Sequence, residues 1–99
     1  MKYSVVNRPA VREDILAVID YYKEISPKLA SQFLKRIREA RKYIERNPLS
    51  FALKYKNVRT VLLRQFPYHI HFLIDEDKQL VVILAVIHAY RNPSDYSGR

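Results

Sequence analysis

The sequence predicts an α+β domain in which a helical hairpin lies on one face of a small, mainly antiparallel sheet, in the order β-α-α-β-β-β. Three observations lead there. Apolar residues recur at helical spacing through the first half of the chain and at strand spacing through the second. A Ser-Pro pair at 26–27 divides the helical half into two helices. Residues 80–87, Leu-Val-Val-Ile-Leu-Ala-Val-Ile, carry no charge, the pattern of a strand covered on both faces.

Each element follows in order. Lys2–Val6 is short, β-branched and closed by Asn7-Arg8-Pro9, as a first strand at the sheet edge would be. From Pro9 the period changes. Val11, Ile15, Val18 and Tyr22 fall on one helical face that stops at Ile25, with Asn7 or its neighbour as cap and Pro9 in the first turn. Ser26 is placed to cap a second helix, with Pro27 at its first position. Its apolar face is Ala30, Phe33, Ile37, Ala40 and Ile44, and Asn47-Pro48 ends it because the residue before proline leaves the helical region. Residues 48–57 show neither period and read as a loop anchored by aromatic and leucine side chains. Val58–Phe66 reads as a strand, Pro67 as a bend, and Tyr68–Asp75 as an alternating strand. In that alternation Tyr68, Ile70, Phe72 and Ile74 share one face, and His69, His71 and Leu73 the other. Asp75–Gln79 is the turn into the apolar run, taken as the central strand. The helices are expected to leave the second sheet face open to solvent or a partner.

The 99 residues suffice for a single domain, 1–99, with one modest core. The only glycine is Gly98, which excludes a glycine-rich phosphate loop, and the lack of cysteine excludes disulfides and thiolate chemistry. No signal-peptide core or membrane-length apolar run is present, so a soluble cytoplasmic protein without membrane contact is expected. The formal charge is +8. Residues 1–57 hold 13 Lys and Arg against 6 Asp and Glu, while residues 58–99 hold 5 against 4. A field of this sign favours nucleic acid, a nucleic-acid machine or an acidic protein as partner. The second helix alone carries seven bases and two acids. It lacks the side-chain set of a base-reading helix, such as Asn or Gln between arginines at its start, so its basic side suits phosphate contact or plain solvation.

Candidate chemistry gathers at the end of the apolar strand, where His88, Tyr90, Arg91 and Tyr96 stand in and around His-Ala-Tyr-Arg-Asn-Pro-Ser-Asp-Tyr. Histidine can move protons near neutral pH, arginine can hold a phosphate, and tyrosine can stack on a base. The same residues can equally tie off a strand end. His69 and His71 point to one side but lack a third ligand, so they are expected as polar residues of the exposed sheet face and no metal or other cofactor is expected. Arg59 and Arg64 have opposite parity on their strand, which sends them to opposite faces.

Asn-Val-Arg-Thr-Val-Leu-Leu-Arg-Gln-Phe-Pro-Tyr-His-Ile-His-Phe from Asn57, Val-Ile-His-Ala-Tyr-Arg-Asn-Pro from Val86, and the hairpin ending Ile-Glu-Arg-Asn-Pro together resemble the RelE/ParE toxin superfamily of bacterial toxin–antitoxin pairs, over roughly residues 3–97. The resemblance implies the fold predicted above, a cognate antitoxin with an acidic tail, and a toxin–antitoxin hetero-oligomer. It implies either of two targets: the ribosome with its mRNA, which RelE-like members cut, or DNA gyrase, which ParE-like members poison without cutting. For cleavage, Arg91 matches the arginine after the last strand, Tyr96 is the counterpart of a C-terminal tyrosine, Arg64 stands at a basic strand position, and His88 is a possible base. But Leu62 and Tyr68 stand where a lysine and an arginine are needed, unless Lys54 and Lys56 substitute. The resemblance is therefore to the ParE-like branch. Arg59, Arg64, Tyr68, Lys54, Lys56 and Tyr90 are the expected target- or antitoxin-binding residues. A ribosome-dependent endonuclease and a non-toxic antitoxin-binding module remain alternatives.

Overall fold

Pro9 and Pro27 each open a helix, where the missing N–H costs nothing and the fixed φ suits the first turn. They begin α1 (Pro9–Ile25) and α2 (Pro27–Arg46) in a computed structural model that describes residues 2–90. Ser26 joins the two in an extended conformation. Its N–H donates to Tyr22 O at 2.8 Å and its carbonyl accepts from Leu29 N at 3.0 Å, so its backbone closes one helix and opens the next. The expected Ser26 side-chain cap is not made.

The strands are β1 (Ser4–Asn7), β2 (Leu53–Tyr55), β3 (Val58–Leu62), β4 (Tyr68–Asp75) and β5 (Leu80–His88), and a 3-10 turn at Pro48–Ser50 follows α2. The sheet order is β1-β5-β4-β3-β2. Only the β1–β5 pair is parallel, and the rest are antiparallel. The expected order therefore holds with one strand added. Residues 48–57 are not the loop expected: Leu53 pairs with Arg59 and Tyr55 with Val58. A three-residue strand with a bulge has too little pattern to show a period, and its partner defines it. With β2 at the far edge, β4 is the middle strand, and β5 is interior instead of central.

β3 is shorter than expected, ending at Leu62. Gln65 takes a left-handed φ of 74° and Pro67 follows, so the chain bends there, closed by Leu63 N donating to Tyr68 O at 2.9 Å. Lys56 and Gln79, with φ of 47° and 52°, turn the chain at the other two hairpins. In a chain this poor in glycine, long polar residues occupy the left-handed positions.

Both helices pack on one sheet face. Val11 and Val18 of α1 and Phe33, Ile37, Ala40 and Ile44 of α2 are buried against Leu63, Phe66, Ile70, Phe72, Val81, Ile83 and Val86. The opposite face is not open as expected. Val58, Leu84, Ala85 and Ile87 are buried on it, with Tyr55, Leu73 and Val82 packed around them. β2 makes part of that difference, because it brings Tyr55 over the face.

One irregularity decides where the functional end of β5 points. β4 residues 68–71 pair with β5 in one register and residues 72–75 in another, with Leu84 as the extra residue. Val81 and Ile83 face the helices. After the bulge it is Val86 and His88 that do so, not Ala85 and Ile87.

Candidate functional site

His88, the last residue of β5, stands opposite Tyr68, the first of β4. Their rings meet edge to face with centroids 5.2 Å apart, and the Tyr90 ring lies 5.5 Å from the same imidazole. Two backbone N–H groups hold this end: Ala89 N donates to Pro67 O at 2.8 Å, and Tyr90 N donates to the His88 side chain at Nδ1, 3.3 Å away. The second consumes one imidazole nitrogen as an acceptor. Tyr68 continues inward as an aromatic cluster, 5.6 Å from Phe33, which itself meets Tyr22 and Phe66. Burial first, then Tyr22 and Tyr21, raises the Tyr68 phenol above its ordinary pKa. It stays protonated at neutral pH and is no base. Tyr90 is the outer end of the row, 86% exposed.

Arg91 and Tyr96, expected beside His88, lie outside the described residues. Arg64 is not on a strand but in the bend after β3, where Nη1 lies 3.5 Å from Glu39 Oε1 on α2. Arg59 pairs across the sheet with Phe72 on the helix side, and its Nη1 donates to Phe51 O at 2.6 Å. The expected division of these two arginines between opposite faces therefore fails: the bend takes Arg64 off the strand and back towards α2.

His69 and His71 do share a side, with ring centroids 6.2 Å apart, but that side is not exposed. His71 is 1% exposed, and its Nδ1 and the Tyr55 hydroxyl hydrogen-bond at 3.2 Å. Burial, and then the charge of Lys54, lowers the pKa of His69. Lys54 lies in β2 and Lys56 in the turn after it, both exposed. Among the described residues no group of three or more His, Cys, Asp or Glu could hold a metal ion. No described helix is long and apolar enough to cross a membrane.

The feature that sequence reasoning missed is a groove of about 510 Å³ between α2 and the edge of β3, lined by Arg36, Glu39, Tyr43, Phe51, Leu62 and Arg64 among others. Tyr43 and Leu62 are both more than half exposed on it. β2 pairs only with Val58 and Arg59, so Thr60–Leu62 is sheet edge among the described residues. An open strand edge beside apolar side chains and cations suits an extended, acidic segment added as a strand. The signal in the sequence was the Val61-Leu62-Leu63 run: alternation cannot turn three consecutive apolar side chains inward, and Leu62 is the one left exposed.

A family profile described as "ParE toxin of type II toxin-antitoxin system, parDE" matches residues 5–93. Toxin ParE2 of Mycobacterium tuberculosis is 29% identical, over 90% of this chain and 88% of that protein. Among solved structures, the chromosomal ParDE TA system from P. aeruginosa superposes with a TM-score of 0.76 at 22% identity, covering 88% of this chain and 96% of that one. The isolated E. coli RelE toxin superposes with a TM-score of 0.57 at 14% identity, covering 97% and 94%. At these identities the two structures share the fold.

Proposed function

The chain belongs to the family of ParE toxins of type II toxin–antitoxin systems, and on that premise we propose that it arrests growth by binding DNA gyrase and is neutralised by a cognate antitoxin with an acidic tail. The surroundings of His88 carry the choice of target. Hydrolysis or transfer at a phosphodiester needs a base, an acid and cations at the developing charge. Among the described residues the ring neighbours of His88 are Tyr68 and Tyr90, and Arg59 and Arg64 bond elsewhere, to Phe51 O and Glu39. Leu62 and the protonated Tyr68 supply no charge. An aromatic end with the exposed Tyr90 outermost suits binding to a protein surface, where tyrosine anchors contribute strongly.

The groove beside α2 is the antitoxin seat in this reading. The RelBE2 structure from Mycobacterium tuberculosis, at a TM-score of 0.57, is a toxin–antitoxin complex, so a chain of this fold can be held in one. Here the acidic tail would run along Thr60–Leu62, with an apolar side chain between Tyr43 and Leu62 and carboxylates near Arg46 and Arg64. The decisive experiment is a supercoiling assay with purified gyrase. The toxin is expected to inhibit supercoiling and to accumulate cleaved DNA, with Tyr90→Ala weakening the effect. No inhibition at stoichiometric excess, together with discrete mRNA breaks in a translating extract, would establish the nuclease reading instead.

A further inference from the structure

The seven cations of α2 fall into two groups. Arg36 Nε donates to Gln65 Oε1 at 3.2 Å and its Nη1 to Glu39 Oε2 at 3.1 Å. Arg41 donates to Asn7 Oδ1 at 2.7 Å and to Val5 O at 2.9 Å. These two lie on the flanks of the buried face and fasten the helix to the sheet and its bend. The other five, Lys28, Lys35, Arg38, Lys42 and Arg46, are exposed, and none has a hydrogen bond or ion pair among the described residues. At 3.6 residues per turn they fall in one arc of roughly 80°, opposite the buried row Ala30, Phe33, Ile37, Ala40 and Ile44.

The acids that would neutralise this stripe are already engaged. Glu39 is bound by Arg36 and Arg64, and Glu45 by Lys2. Lys35–Arg38, Arg38–Lys42 and Lys42–Arg46 are therefore like-charge neighbours three and four residues apart, which weakens the helix. Solvation alone would be served as well by mixed charges. The fold gains nothing from this arrangement, so its use lies outside the chain.

We infer that this stripe binds the phosphate backbone of duplex DNA without reading sequence. It runs along one unbroken helix, about 27 Å long at 1.5 Å per residue, which spans roughly 8 bp of duplex. A shallow hollow lined by Lys35, Arg38, Lys42 and Arg46, with Tyr43 and the Arg36- and Arg64-bound Glu39, lies along it. Of aromatic residues only Tyr43 borders it, so it offers no stacking platform for a single strand. The hollow has no Asn or Gln in its lining to pair with adenine, which leaves charge as its means of contact. Arg46, at the end of the stripe, also lines the groove, but Lys35, Arg38 and Lys42 lie outside both the groove and the His88 end, so a test on these three is independent of the gyrase and antitoxin assignments.

Fluorescence anisotropy of the purified chain with labelled duplexes of about 20 bp and two unrelated sequences, titrated across KCl at neutral pH, tests it. Equal affinity for both is expected, with a log–log salt slope of about −4, from about −0.9 for each of four to five phosphate contacts. Lys35→Gln, Arg38→Gln and Lys42→Gln combined should weaken binding by about tenfold or more and make the slope shallower by about 2.7, with thermal melting unchanged or slightly raised. Arg12→Gln with Lys23→Gln on α1 should leave both readings in place. The inference falls if the duplex is not bound, if the α1 pair weakens binding as much per charge as the α2 triple, or if a single strand binds more tightly. It also falls if poly-glutamate competes the stripe away at concentrations at which duplex DNA does not bind, which would assign it to an acidic protein.

Discussion

The two helices lie side by side on one sheet face and use opposite means to hold it. α1 buries only Val11 and Val18 fully, and its charges sum to −2; α2 buries five residues, and its charges sum to +5. α1 is fastened by an acid. β1 ends opposite Ile83, and beyond that point Val86 N donates to Asp14 Oδ2 at 3.0 Å. α2 is fastened by the two arginines Arg36 and Arg41. The difference teaches that charge on a helix has to be sorted by what each group touches. Five of the chain's eight net positive charges sit on α2, yet only two of its seven cations hold the fold together.

Four measurements would break or sharpen that contrast. The largest effect is expected in the α2 core. Phe33 is fully buried among Tyr22, Phe66 and Tyr68, so Phe33→Ala should cost about 3–5 kcal/mol in urea denaturation, whereas Leu16→Ala, 45% exposed on α1, should cost about 0.5 kcal/mol or less. Equal losses would end the claim that α2 carries the core. Next is Asp14→Ala, which leaves the Val86 N–H without its carboxylate acceptor and should cost about 1–3 kcal/mol by the same assay. Arg41→Gln should cost about 1 kcal/mol through its lost bonds to β1, while Lys42→Gln beside it should cost nothing or stabilise slightly. If the two neighbours behaved alike, the division of the α2 cations would fail.

The smallest effect comes from the sheet face that neither helix covers. The pKa of His69 lies below its ordinary 6.5 because burial, and then Lys54, disfavours the imidazolium. The unfolded chain takes up this proton first as pH falls. The His69 contribution is therefore complete above pH 6.5 and is lost as pH drops through 6.5 towards the lower folded value. Urea midpoints measured from pH 7.5 downwards should fall, and His69→Gln should flatten the decline. An identical decline in the variant would mean that another group carries it.

Much of the site was legible in part. Leu62 and Tyr68 could be named from the sequence as the positions where basic residues are absent, and His88 as the end of the apolar strand. The sequence did not show that Tyr68 and His88 are cross-strand neighbours, because that depends on a pairing register. It did not show the groove either, because α2 and β3 come together only through the core.

What the sequence determined by itself is what neighbouring residues encode. The helices run from Pro9 to Ile25 and from Pro27 to Arg46, and β4 from Tyr68 to Asp75, because period, proline and alternation are local properties. What only the tertiary structure decided is non-local. β2 exists because β3 offers it an edge, and His71 is buried on a face that parity alone marked as polar. His88 faces the helix side because Leu84 is one residue too many for the β4 register. A strand side chain alternates with its own neighbours, but its face is set by its partner, and one extra residue reverses everything beyond it.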